Sequence, residues 1–188
     1  IVGEEISGAF GVGVRYGKGT LNRKDDESRR VFWQGPSIGF DVGGTYGAWA
    51  SDFARTYSAG DPTESQKQHY SSLCDVQRET IEMMKPGVTA EDVFYFCKES
   101  FARHGLPFHM PHIGHSFGVE LHESPMMRPG DKTPLKAGMV INIEPSVKDG
   151  ERNAYHTEDL LVVTDTGTRI LTLGLAPREM PVIGQKVA

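Results

Sequence analysis

Between Asp61 and Gly105 apolar side chains recur every three to four residues, and on either side they alternate or gather in short blocks. Tyr70, Leu73, Val76, Thr80 and Met83 fall on one face of a first predicted helix. Asp61 is placed to cap it, Pro62 suits the first helical position, and Glu64 completes a capping-box spacing. Pro86-Gly87 stops the run. A second helix is expected from about Thr89, with Glu91 and Asp92 in its first turn, where the helix dipole favours negative charge. Val93, Phe96, Cys97 and Phe101 line one face, and Gly105 ends it. These aromatic and sulfur side chains read as core rather than as contacts to a cofactor.

The flanks read as strand. Residues 1–44 are rich in glycine, and Gly11 to Tyr16 alternates with period two. A polar loop, Asn22 to Ser28, precedes a second apolar block, Arg30 to Trp33. Asp41 and Asp52 bracket the turn-rich Gly43-Gly44-Thr45-Tyr46-Gly47, which predicts a hairpin with the two aspartates on adjacent strands. Further on come a histidine-rich strand near 112–122, a strand at Met139–Ile143 and another at Leu160–Val163. A Thr164-Asp165-Thr166-Gly167 turn then leads into Arg169–Leu173. Helices laid against antiparallel sheet give an α+β class.

The 188 residues suit a single domain, 1–188, large enough to bury roughly 70% of its unfolded surface, with 1–40 an atypical Gly-rich β segment. A formal charge of -5 and a pI near 5.8 argue against nucleic acid as the main partner, since phosphate binding requires a basic face. No apolar run approaches the ~20 residues that cross a bilayer, so no membrane partner is expected, and no secretory leader is read at the start. Cys74 and Cys97 lie within helical patterns without metal-type spacing, which suits reduced, buried thiols in a cytoplasmic protein.

Candidate chemistry centres on Asp41, Asp52, His115, Glu144 and Glu158. For one carboxylate alone, a solvated strand end or a partner for Lys or Arg is the simpler role. Context shifts that balance: Asp41 follows Ile38-Gly39-Phe40 and Glu144 follows Met139–Ile143, so both charges fall where burial is expected, with few cationic neighbours. Four carboxylates and one imidazole are enough for two divalent ions. His109, His112 and His115 recur at intervals of three, but the glycines and prolines around them favour extended chain over a three-histidine face. His69 and His104 sit at polar helical positions and are expected to be solvated.

The same residues carry a resemblance. Asp41 with Asp52, then Gly114-His115-Ser116-Phe117-Gly118-Val119-Glu120-Leu121-His122-Glu123-Ser124-Pro125, Ile143-Glu144-Pro145 and Glu158-Asp159 resemble the pita-bread metallopeptidases over about residues 38–175. That family comprises methionine aminopeptidase, aminopeptidase P and prolidase. Tyr46, Ser51-Asp52 with Arg55-Thr56, and Pro86-Gly87-Val88-Thr89 are similar to its aminopeptidase P and prolidase branch. The resemblance implies a curved antiparallel sheet covered by helices. It also implies a dinuclear exopeptidase of the Xaa-Pro aminopeptidase or prolidase type, acting through a metal-bridging hydroxide. Asp41 would chelate one ion, Asp52 and Glu158 would bridge both, and His115 and Glu144 would hold the second. Glu144 would also take up the proton of the attacking water, and His122 would donate to the tetrahedral intermediate or leaving nitrogen. A satisfied strand histidine is the alternative for His122. Manganese suits the oxygen-rich donors best, with cobalt, iron or zinc as alternatives. A short peptide or small amide is the expected substrate, and a homodimer an expected assembly.

Some features depart from that pattern. Residues 1–40 contain no histidine, whereas the family carries an active-site histidine ahead of the first aspartate, so weak catalysis is expected. The two helices and strand that precede Asp41 in the family are not legible, so its first half-repeat is expected to be truncated. His156 stands where the branch often has arginine, and Val31 to Asp41 faintly resembles small β-rich bacterial envelope proteins without an enzymatic role. Two alternative functions stay open: an amidohydrolase of a small nitrogenous metabolite, similar to creatinase or ectoine hydrolase, and a non-catalytic binding protein on the same scaffold.

Overall fold

The computed structural model describes residues 2–10, 12–22, 28–34, 37–149 and 153–183. Five strands come first: β1 (Val2–Phe10), β2 (Val12–Asn22), β3 (Ser28–Gln34), β4 (Ser37–Tyr46) and β5 (Trp49–Ser58). Each pairs antiparallel with the next to form one meander. Asn22 and Ser28, the ends of the predicted polar loop, belong to β2 and β3, and residues 23–27 between them lie outside the described residues. The β4–β5 hairpin expected around the two aspartates is present, but its turn is Gly47-Ala48. Gly43 to Tyr46 stay in the strand, with Gly43 opposite Asp52.

Two helices follow, α1 (Glu64–Met83) and α2 (Ala90–Arg103). The cap of α1 is Thr63, not Asp61. Thr63 Oγ1 accepts from Gln66 N at 3.3 Å while Gln66 Oε1 accepts from Thr63 N at 2.8 Å, so two otherwise orphaned donors are satisfied reciprocally. Pro62 therefore precedes the cap. The second helix begins where expected, capped by Thr89 with Asp92 closing its box. On α2 Phe101 is buried as expected, and Phe94 is buried in place of Phe96, which lies half-buried with the Arg103 guanidinium 5.2 Å over its ring.

The second sheet has the order β12-β11-β8-β6-β7, built from β6 (His115–Ser116), β7 (Glu123–Met126), β8 (Val140–Ile143), β11 (Asp159–Val163) and β12 (Thr168–Ile170). A separate hairpin joins β9 (Ser146–Asp149) to β10 (Asn153–His156). The histidine-rich strand expected over 112–122 shrinks to the two residues of β6. A side chain at Gly118 would put its Cβ 2.4 Å from both carboxylate oxygens of Glu123, so the chain passes close to itself there and doubles back into β7. The last predicted strand ends at Ile170, leaving Leu171 and Leu173 exposed.

Tyr70, Leu73 and Val76 from α1 and Val93, Cys97 and Phe101 from α2 join Ile141, Ile143, Leu161 and Val163 of the second sheet in one buried core. Cys74 and Cys97 are buried free thiols. The two sheets meet where Ala54 on β5 and Glu158, just before β11, exchange backbone hydrogen bonds of 3.3 and 3.1 Å. None of the described helices is long and apolar enough to cross a membrane.

Candidate metal centre

Strand alternation sets the first half of the site. Asp41 lies opposite Ala54 and Asp52 opposite Gly43, so the aspartates are diagonal neighbours on one face. Gly43 lies against the Asp52 side chain, since a Cβ there would be in van der Waals contact with Asp52 Oδ1 at 3.7 Å. Asp52 is buried and Asp41 half-buried.

The second sheet supplies the rest. His115 opens β6, with only 1% of its surface exposed. Its Nδ1 lies 3.2 Å from the carbonyl oxygen of Ser116, an arrangement that leaves Nε2 facing inward as a ligand atom. Gly114 beside it allows close strand contact, since a Cβ there would lie 2.2 Å from the backbone oxygen of Asn142 on β8. Glu144 directly follows β8, and its N–H donates to Ile113 O at 2.9 Å. Glu158 is brought in by its pairing with Ala54.

Side-chain atoms of Asp41, Asp52 and Glu158 lie within 4.8 Å of one another, and so do those of His115, Glu144 and Glu158. Glu158 belongs to both groups. The five residues singled out from the sequence therefore converge on one place, drawn from two sheets. Burial, reinforced by the charges of Asp52, Glu144 and Asp41, pushes the Glu158 carboxyl up to about 9. Glu144 goes the other way: burial raises it, but the imidazoles of His112, His156 and His115 outweigh burial and hold it below the usual carboxylate value. Burial lowers His115. The donor set suits divalent cations. Glu144 Oε1 is buried without a hydrogen bond, and each group crowds its carboxylates within 4.8 Å of one another.

Three more histidines surround this centre. His122 is exposed, its ring centroid 4.0 Å from that of His115. His112 Nδ1 lies 3.4 Å from Glu144 Oε1, and His156 Nε2 lies 3.9 Å from Glu144 Oε2. His109 joins neither group, and 108–114 is irregular chain rather than a histidine-bearing helix. His69 and His104 are engaged rather than simply solvated. His69 Nδ1 bonds Ser65 O at 2.8 Å, and His104 Nε2 lies 2.9 Å from Glu79 Oε1.

Sequence reasoning missed Asn142. It is fully buried; its Oδ1 accepts from His115 N at 2.8 Å, and its amide nitrogen contacts both His115 Nε2 and Glu158 Oε1. A lone amide inside Met-Val-Ile-Asn-Ile was the available signal, since an unpaired amide in a buried strand is costly. The side chains of residues 1–36, where an upstream histidine was sought, and of Tyr46 lie outside the described residues.

The sequence pattern of metallopeptidase family M24 matches residues 8–165, a span that takes in Val31 to Asp41. The chain is 34% identical over 140 residues to a Xaa-Pro dipeptidase of Pyrococcus furiosus, covering 74% of this chain and 40% of that protein. Among solved structures it resembles dipeptidase PepE from Mycobacterium ulcerans, with a TM-score of 0.72, 36% identity, and coverage of 78% of this chain and 40% of the other. Prolidase from Pyrococcus furiosus gives a TM-score of 0.70 at 32% identity, covering 73% and 41%. The chain thus spans about two fifths of the length of these relatives. Its helix-covered antiparallel sheets are the pita-bread α+β fold expected from sequence. With that fold and a family match across most of its length, the chain belongs to metallopeptidase family M24.

Proposed function

We propose that this chain carries the catalytic centre of a dinuclear metal-dependent hydrolase, an exopeptidase of the Xaa-Pro dipeptidase or aminopeptidase type. The observation that carries the reading is the membership of Glu158 in both ligand groups, which suits one carboxylate shared between two cations. Asp41 would hold one ion, His115 and Glu144 would hold the other, and Asp52 and Glu158 would serve both. Manganese is the proposed metal, with cobalt, iron or zinc able to substitute. When bound, the cations supply Lewis acidity and a water acidified to near neutrality.

The protein's own groups do the rest. Glu144, kept ionised by its three imidazole neighbours, accepts the proton of the attacking water. His122, exposed beside His115, donates to the developing oxyanion or the leaving nitrogen. Phe117 is buried against the His115 ring at 4.7 Å between centroids and keeps water from that side of the imidazole. The names of the relatives support a dipeptide or short peptide with a prolyl bond as substrate. We further propose that residues 1–188 act as one domain, in the cytoplasm, as a homodimer.

Metal analysis and an activity screen test this. The protein takes up about two Mn²⁺ per chain and cleaves Xaa-Pro dipeptides or longer Xaa-Pro peptides. Asp52→Ala and Glu158→Ala each lose at least 10–100-fold in metal affinity, by analogy with the loss of groups that support metal ligands. Full metal retention in both variants would sink the assignment. Turnover confined to N-acyl amino acids or small amides would move the function to an amidohydrolase.

A further inference from the structure

Arg55 is a nearly buried cation that the proposed chemistry does not use. It lies on β5 between Ala54 and Thr56, and strand alternation turns its side chain away from the face that carries Asp52. Its Nη1 donates to Glu158 O at 2.6 Å and to Ala54 O at 2.8 Å. Its Nη2 donates to Asp159 Oδ1 at 2.5 Å and to Gly174 O at 2.6 Å. Asp159 is fully buried, and the same oxygen also accepts from Thr172 Oγ1 at 2.5 Å. One guanidinium thus grips the two residues whose isolated bridge joins the sheets, and it neutralises a buried carboxylate one position after Glu158.

We infer that Arg55, anchored by Asp159, is a positioning residue that holds the two halves of the metal centre in register; the inference rests on the metal-binding reading above. Asp52 and Asp41 reach the centre from β5 and β4, while His115 opens β6 and Glu144 directly follows β8. Only Glu158 completes the group with the aspartates, and its backbone pairs with Ala54 on β5 rather than with β8. Besides the Arg55 fork, that junction has the two bonds of the bridge and the pair between Thr56 Oγ1 and the backbone of His156, at 2.9 and 3.0 Å. The His115 group stands apart from this, because Asn142 ties His115 to Glu158 within the second sheet. Loosening the junction therefore weakens one cation site and spares the other. Lysine does not replace the fork, because a single ammonium cannot reach four acceptors in the plane that the guanidinium serves.

The test is calorimetric titration of the full chain with Mn²⁺, alongside far-UV circular dichroism. Arg55→Met leaves Asp159 charged and unpaired, so Arg55→Met with Asp159→Leu is the informative variant, because it removes both buried charges together. The double variant keeps a native spectrum and one wild-type-like binding event, and the second event weakens 10–100-fold. Arg55→Lys falls between it and wild type, and serves as the readout should the double variant not fold. Two unchanged events in both variants overturn the positioning role and leave the metal-binding reading intact. Equal weakening of both events also overturns it, by showing no selectivity. A wild-type chain that takes up no Mn²⁺ overturns the metal-binding reading itself and the inference with it.

Discussion

Glu158 is the residue at which folding and chemistry oppose each other. Its carboxyl titrates near 4.5 in a model peptide and is pushed up to about 9 here by burial and by Asp52, Glu144 and Asp41. A raised carboxyl contributes stability fully below about pH 4.5, where folded and unfolded chains both hold the proton. Between 4.5 and about 9 the unfolded chain ionises and the folded one does not, so the metal-free protein loses stability as pH rises through that window. Urea unfolding of metal-free wild type and Glu158→Gln across this range checks it: wild type loses stability relative to the variant as pH rises, and a pH-independent difference would refute the assignment. His122 offers a second residue-scale test. It touches the His115 ring but belongs to neither ligand group, so His122→Ala keeps its metal and loses roughly 10²–10³-fold in kcat. Metal loss would make it a ligand, and unchanged turnover would leave it a surface histidine.

At the scale of elements, what the sequence disclosed depended on how strongly a period was written into it. The two helices were legible because Tyr70, Leu73, Val76 and Thr80 repeat on one face, and all four are buried. The aspartate hairpin was legible because apolar residues and glycines frame both carboxylates. The β9–β10 hairpin was not: within Ser146–His156 only Val147 and Tyr155 are buried apolar side chains among the described residues, too few to mark a period of two. The histidine-rich segment misled because apolar content alone cannot reveal the reversal at Gly118. The five candidate ligands could be found from local context, whereas Asn142 and Arg55 could not be assigned roles, since each works through contacts distant in sequence. The α1 cap shows the same limit, because Asp61 and Thr63 both have suitable residues three positions on. Thr63→Ala should cost about 1 kcal/mol and Asp61→Ala no more than about 0.5 kcal/mol in urea unfolding. The reverse order would restore Asp61 as the cap.

At the scale of the whole molecule, one ligand group spans both sheets and the other lies within the second, and the sheets meet at the Ala54–Glu158 bridge, at the side chains around it and at the Ala50 N–H bond to Gly118 O of 3.1 Å. A cation bound by Asp41, Asp52 and Glu158 therefore links two sheets, and one bound by His115, Glu144 and Glu158 ties β6, β8 and the start of β11 together. The unfolded chain has no such preformed cage, so binding energy adds to folding energy. With free Mn²⁺ at 100 times its dissociation constant, one site contributes about 2.7 kcal/mol. For a chain of this size that corresponds to a rise in Tm of about 5–10 °C. Thermal unfolding in EDTA and in Mn²⁺ measures the shift directly. Glu158→Ala removes the shared donor and should abolish most of it, whereas His122→Ala should leave it whole. A full shift in Glu158→Ala would mean that the cations stabilise the protein from somewhere else, and that the convergence of five residues from two sheets is not the place where metal is held.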